Sequence, residues 1–434
     1  MAGSQTGSCG TSVGTSGAGE SAVPHAAANA AANATPTVAR YSFLDFMTFS
    51  PATRRLNMIK LRCSAHVRRS QTAIAVGLLL AMAGSAGLAT PDALAAQTFP
   101  NPYRATLGWE HLPEGRTLGI VSGAIPDPDG EHLWILDRCG ANQCAGTDLD
   151  PILKFDLEGN LVDSFGAGLF AFPHGFALDH NGYLWVTEGG AHGDPRGALG
   201  ESMGMGHQVF KLTRQGEVVM RLGEPGVHGD DESHFNGPSG VAIAPNGDIW
   251  IADGHRGGNN RIVRLAGDGT PIRAIGGGIG SESREPGRFS DPHDIKIDSR
   301  GRVYVADRGN SRIQVFDPEG NLLYIWTQYG KPSGLFIDPN DILYAGDGLS
   351  GDLRTGPPDP WRSNFGWEKG IRIGDLKTEQ AWVTYFIPQH DENVGPGIEF
   401  LGVDLDGNIY AGEINRMRMV RYVPERPLLI GGRR

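Results

Sequence analysis

From residue 118 onward the chain is written in short apolar runs set apart by polar turns, and the runs recur in register. A strand-like run ending in an acidic residue follows a turn in DGEHLWILD, HNGYLWVTE, PNGDIWIAD, SRGRVYVAD, PNDILYAGD and LDGNIYAGE, with the turn position at Gly130, Gly182, Gly247, Gly301, Asp341 and Gly407. Four of the copies are followed by two further β-like runs joined by a hairpin signal: ILKFDLEGNLVDSFG, HQVFKLTRQGEVVMRLG, RIVRLAGDGTPIRAIGG and RIQVFDPEGNLLYIW. The last two copies diverge, with GIRIGDLKTEQAWVTYFI and MRMVRYVPERPLLI in that place. Turn positions 40 to 66 residues apart, with four short strands to a unit, predict propeller blades, because one small twisted sheet cannot bury both faces until neighbours stack around a ring. A β-sandwich would alternate without this register. The expected fold is all-β, a six-bladed β-propeller over about residues 97–434.

The first 96 residues do not share the pattern. Residues 1–57 are rich in Gly, Ser, Ala and Thr without an apolar period, and predict a disordered low-complexity extension. Residues 58–96 predict an export signal peptide: the basic MIKLRCSAHVRRS, the apolar TAIAVGLLLAMAGSAGLA, then the small-residue site ALAAQ. Met58 is then an alternative start, and the mature chain begins near Ala96 or Gln97. A membrane anchor is the competing reading, disfavoured by the Gly- and Ala-rich core. Arg68-Arg69 hints at twin-arginine export, though no Phe-Leu follows. The expected location is periplasmic or secreted, with no membrane span in the mature form.

Charge and cysteines refine this. The first 96 residues hold seven Lys/Arg against three Asp/Glu, so a whole-chain charge of −11 becomes −15 for the remainder. Such an acidic surface argues against nucleic acid or anionic membrane as partners. A monomer acting on a small-molecule or peptide-like substrate is expected. Cys9 and Cys63 fall in the processed segment. Cys139 and Cys144, in DRCGANQCAG, are expected to form a small-loop disulfide; a metal or redox pair is the alternative, short of the further ligands a zinc site needs.

Counting back eight residues from each turn position gives Ser122, His174, Ser239, His293, Ser333 and Glu399. Equivalent positions in a closed ring lie on one circle, so His174, His293 and Glu399, on alternate blades, should stand about 120° apart. Two neutral imidazoles and a carboxylate suit a divalent cation such as zinc or iron, with positions left for substrate. A lone Pro-His at a strand start is more often bonded to backbone; three potential ligands on alternate blades in one register favour the cation.

The stretches NNRIVRLAGDG and GNSRIQVFDPEGN, each after an acidic strand end, resemble the NHL repeat. Within that class the chain resembles the peptidyl-hydroxyglycine amidating lyase family, most densely from Phe170 to Phe316, through FPHG, DGHRGGNNRIV, FSDPHDI and VADRGNSRIQVF. The resemblance implies an exported metal-dependent lyase that cleaves a carbinolamide C–N bond and releases an amide and a glyoxylate-type product. It implies zinc held by three His at the register positions; His174 and His293 match two, and Glu399 replaces the third. Arg138 and Arg308 match two substrate-binding arginines of the family, their alternative being salt bridges to strand-end acids such as Glu188 or Asp253. His255 falls near the family's catalytic Tyr and is expected to act as the base. The family's calcium Asp would fall at Phe400, while an Asp follows His293 instead, so calcium is expected only through backbone carbonyls. The insertions 189–207 and 349–370 are expected to cover part of the mouth. Two other functions stay open: lactone or ester hydrolysis, and a non-catalytic binding propeller.

Overall fold

The computed structural model describes residues 99–351, 367–391 and 395–430. The low-complexity extension, the export signal with its cleavage site and most of the 349–370 insertion lie outside the described residues.

Six four-stranded antiparallel sheets follow one another along the chain. Blade one runs from the inner strand Val121–Pro126 through His132–Asp137 and Ile152–Asp156 to the outer strand Leu161–Phe165. The inner strands of blades two to six are Pro173–Leu178, Pro238–Ile243, Pro292–Ile297, Pro332–Ile337 and Ile398–Val403. The second strands carry the repeated apolar runs, and each places an aromatic at one register: Trp134, Trp185, Trp250, Tyr304, Tyr344 and Tyr410, all buried. Four of the polar tips find an Asp at the turn of the same blade: Trp134 donates to Asp127 at 2.9 Å, Trp185 to Asp179, Tyr304 to Asp298 and Tyr410 to Asp404, the last three at 3.0 Å.

The core is six hydrophobic clusters, one between each pair of adjacent blades. Leu136 and Ile152 of blade one meet Phe176 and Val186 of blade two. Leu133 and Ile135, on the other side of the same blade, meet Tyr410 and Met419 of blade six. Each fully buried apolar side chain contributes roughly 1.5–3 kcal/mol, and the ring is what lets both faces of every sheet do so.

Blade six is where the chain departs from the expected order. Its first three strands are Ile398–Val403, Ile409–Glu413 and Arg418–Pro424, but its outer strand is Tyr103–Thr106 from the start of the propeller, antiparallel with Tyr103 opposite Pro424 and Thr106 opposite Arg421. The apolar tail PLLI, which the sequence pattern placed there, forms no strand; Leu428 and Ile430 pack against the blade five and six cluster instead. Cys139 and Cys144 are joined by a disulfide. Among the described residues no helix is long and apolar enough to cross a membrane.

Candidate metal centre at the propeller axis

Each inner strand opens on Pro, Val or Ile, and the residue after it breaks the ladder. In blade three Pro238 pairs with Asp253 and Gly240 with Ala252; in blade four Pro292 pairs with Asp307 and Asp294 with Ala306. Ser122, Ser239, His293 and Ser333 are thus the extra residues of bulges, and in blades two and six the ladder skips from Pro173 to Phe176 and from Ile398 to Leu401. A bulged residue is unpaired and its side chain is re-aimed. All six register residues are buried.

The bulges are stitched from blade to blade. Ser122 Oγ donates to Pro173 O at 3.1 Å, His174 Nδ1 to Ser239 O at 2.7 Å, Ser239 Oγ to Pro292 O at 2.6 Å and His293 Nδ1 to Ser333 O at 2.9 Å. Because a carbonyl only accepts, each imidazole carries its proton on Nδ1 and keeps a lone pair on Nε2. Both Nε2 atoms are buried and without a hydrogen-bond partner, and so is Glu399 Oε2. Glu399 Oε1 lies 3.6 Å from His174 Nε2 and 3.7 Å from His293 Nε2. Bonds of 2.0–2.2 Å to a tetrahedral ion would set ligand atoms about 3.3–3.6 Å apart. Orphaned buried lone pairs are costly, and here two orphaned Nε2 atoms face one carboxylate at nearly the spacing a cation requires, so these residues fit a divalent metal.

His255 joins them. One ligand atom from each of His174, His255, His293 and Glu399 lies within 4.8 Å of the others. His255 Nδ1 donates to Gly189 O at 3.0 Å, and its ring centroid stands 4.2 Å from that of His174. Gly189 permits this packing, since a Cβ there would fall 2.5 Å from His174 Cβ. Burial holds all three imidazoles well below the usual histidine range, with Arg138 adding to the effect at His174, Arg308 at His293, and the neighbouring histidines at His255. Neutral imidazoles are the ligand form. Phe172 stacks on His255 and Phe400 on His293, closing the sides of the site with apolar surface.

Arg138 and Arg308 approach Glu399 from two sides. Arg138 Nη2 lies 3.5 Å from Oε1 and Arg308 Nη1 3.8 Å from Oε2. Arg138 also donates from Nε to Pro173 O and from Nη1 to Asn142 Oδ1, each at 3.0 Å. Arg308 is held by Asp291 Oδ2 at 2.8 Å. Burial, with Arg196 and Arg308 nearby and Glu399 opposing them, lowers Arg138 to about 10. The salt bridges to Glu188 or Asp253 weighed from the sequence do not form: Glu188 accepts from the Ala171 and Phe172 amides, and Asp253 is taken by Arg261.

Arg196 was missed. The helix Pro195–Ser202, inside the 189–207 insertion, brings its guanidinium to 4.4 Å from the Phe172 ring centre, with that of Arg138 at 4.1 Å from the same ring. The insertion signalled a cover for the mouth, but not which residue it would deliver.

Asp294, the Asp that follows His293, is already engaged. Asp294 accepts from Lys296 Nζ at 2.6 Å and from the Ile295 and Leu335 amides at 2.8 Å, and Phe400 lies against the histidines. Below the cluster the axis holds a cavity of about 180 Å³ of mixed polar and apolar lining, with Phe176, Val241, Leu335 and Phe400 among its walls and Lys296 at its edge. A larger cavity, about 1130 Å³, opens at the far ends of the inner strands, away from the histidines.

The NHL repeat model matches residues 235–265 and 289–316, in the third and fourth blades. Probable peptidyl-alpha-hydroxyglycine alpha-amidating lyase pgal-1 of Caenorhabditis elegans is 38% identical over 217 residues, 46% of this chain and 56% of its own. NHL repeat-containing protein 3 of Homo sapiens is 32% identical over 252 residues, 57% of this chain and 65% of its own. Peptidyl-glycine alpha-amidating monooxygenase A of Xenopus laevis is 28% identical over 333 residues, 71% of this chain and 32% of its own. The chain spans less than two thirds of the length of each of these relatives. Fold and repeats together define a six-bladed propeller with NHL repeats in its third and fourth blades and a buried His/Glu cluster on its axis. Within that class the chain resembles the peptidyl-alpha-hydroxyglycine alpha-amidating lyase family.

Proposed function

We propose that this chain is an exported, metal-dependent carbon–nitrogen lyase that cleaves a carbinolamide of peptide-like type into an amide and a glyoxylate-type aldehyde. The observation that carries the reading is the pair of uncommitted Nε2 lone pairs of His174 and His293 facing Glu399 on one ring register. His174, His293 and Glu399 would hold the ion, zinc on the resemblance to the lyase family, two imidazoles and one carboxylate being a donor set that iron also takes. Bound there, it would supply Lewis-acid polarisation of the substrate hydroxyl.

His255, neutral and fixed through Nδ1, takes the hydroxyl proton on Nε2. As that oxygen forms its carbonyl, the C–N bond breaks, and the proton passes to the departing amide nitrogen. Arg138, Arg308 and Arg196 orient the substrate carboxylate, planar guanidinium forks being suited to bidentate contact. Phe172 and Phe400 exclude water from the reacting face.

Elemental analysis and turnover of an α-hydroxyglycine peptide test the reading together. His174→Ala, His293→Ala and Glu399→Ala should each lose metal and activity by an order of magnitude or more, while Ser239→Ala keeps both nearly intact. His255→Ala should keep the metal and lose turnover; loss of metal would make His255 a ligand instead of a base. Glu399→His should retain metal. Full metal occupancy in Glu399→Ala, with loss in His174→Ala, would remove Glu399 from the set. A second reading, a non-catalytic propeller, is favoured by one observation: the two guanidiniums at 3.5 and 3.8 Å already give the Glu399 carboxylate opposite charge. Purified protein without stoichiometric metal would select it.

A further inference from the structure

The 189–207 insertion and the loop before blade three bring together a second set of ligand-type side chains, apart from the axis. His192 Nδ1 lies 3.0 Å from Glu201 Oε1, His228 Nδ1 lies 3.5 Å from it, and His207 Nε2 lies 2.9 Å from it. Three imidazole nitrogens thus crowd one carboxylate oxygen, which has two lone pairs to offer. His207 is fully buried and takes one of them. Its backbone sits at φ 58°, a left-handed conformation uncommon for a residue with a side chain, so the fold accepts strain to aim this ring. His192 also reaches Glu201 Oε2 at 3.3 Å, and it and His228 lie on the more open side of the cluster, with side chains 49% and 35% exposed.

We propose that His192, His228 and Glu201 form a second divalent-cation site of zinc type, with His207 as the residue that positions the Glu201 carboxylate. One atom from each of the three lies within 4.8 Å of the others. The 3.0 and 3.5 Å separations from Glu201 bracket the edge of about 3.3 Å expected for a tetrahedron with 2.0–2.1 Å bonds. A cation resolves the crowding, because it takes the imidazole lone pairs and the carboxylate oxygen at once. The rings of His192 and His228 are stacked, with centroids 3.7 Å apart and planes at 14°, so one must turn for both lone pairs to converge. Half-exposed His192 is the one free to do so.

The position gives the ion a task. Glu201 lies in the helix Pro195–Ser202, whose first turn carries Arg196 to the Phe172 ring at the axial site; His192 precedes that helix, and His228 belongs to the connection from blade two to blade three. A cation would fasten the helix to the next blade and so fix Arg196. The inference stands whether or not the axial cluster is catalytic.

The test is zinc binding by the whole protein, read by elemental analysis and by competition with a chromophoric chelator. Wild type should bind one equivalent more than the His192→Ala/His228→Ala double variant. The axial variant His174→Ala/His293→Ala should keep that equivalent, so failure of the axial reading and failure of this one give different counts. His192→Ala alone, at a half-exposed position where folding is not at stake, should weaken the peripheral equivalent at least tenfold and abolish the part of the zinc-induced rise in melting temperature that survives in the axial variant. If the double variant binds as much zinc as wild type, or the axial variant binds none, the cluster is a hydrogen-bonded group alone and the proposal fails.

Discussion

Glu188 and Asp253 occupy the same strand-end position in adjacent blades, yet their surroundings differ by one arginine. Asp253 has Arg261, Asp307 has Arg312, Asp347 has Arg372 and Glu413 has Arg418, whereas among the described residues Glu188 has only the Ala171 and Phe172 amides. Those two bonds favour the carboxylate, but burial outweighs them and pushes Glu188 up to about 7. The folded form then holds a proton that the unfolded chain gives up near 4.5, so the group favours folding at low pH and that contribution is lost as pH rises from about 4.5 through about 7. Urea denaturation of wild type and Glu188→Gln at pH 5 and pH 8 should show wild type losing stability relative to the variant at the higher pH; an unchanged difference would mean Glu188 is ionised throughout. Residue positions were legible where the backbone repeats. Eight residues back from the turn found every axial position because the same bulge recurs in each blade. Ordinary strand-end acids were legible as acids but not as clamps, since the amides they bind belong to the preceding turn, whose path only the folded blade sets.

The loop from Arg138 to Cys144 is held at both ends. Its disulfide spans five residues of sequence, Cys144 N donates to Ala171 O of the next blade at 2.8 Å, and Asn142 within it braces Arg138. Closing so short a loop constrains the unfolded chain by about 2 kcal/mol. Cys139→Ser/Cys144→Ser should therefore lower the stability measured by urea denaturation by about that amount. On the proposed function it should also raise KM more than it lowers kcat, because Arg138 positions substrate rather than reacting. Two free thiols in the native protein by labelling would contradict the bridge. Strands and hairpins could be read from the sequence because alternation and turn residues are local signals. The helix Pro195–Ser202 could not: Asp194 caps it, accepting from Arg196 N at 3.0 Å with Pro195 at its first position, but eight Gly-rich residues show no apolar face for a helical period to reveal.

Ring closure couples the two ends of the propeller. Tyr103–Thr106 completes blade six 315 residues from its partner strand, with Thr106 Oγ1 donating to Arg421 O at 2.9 Å and Tyr103 buried in the cluster with Tyr344, Ile398 and Tyr422. Turn residues flank these four, Pro100-Asn101-Pro102 before and Gly108 after, but four residues carry no mark of a partner so distant, and the apolar tail PLLI offered a nearer but unused one, so the closing strand was not legible. Glu399 rides on the inner strand of the same blade and His174 and His293 on others, so the axial cluster keeps its spacing only while the ring stays shut. Tyr103→Ala, which empties a large buried aromatic site, should cost about 3 kcal/mol in urea denaturation. Val162→Ala, at a half-exposed position on the outer strand of blade one, should stay within about 0.5 kcal/mol. With its closing strand weakened, blade six is predicted to loosen before the rest, so Tyr103→Ala should also release metal at urea concentrations where the intrinsic tryptophan fluorescence still reads as folded. Metal loss coincident with global unfolding, or a destabilisation no larger than that of Val162→Ala, would show that the closing strand is not what holds Glu399 against the two histidines.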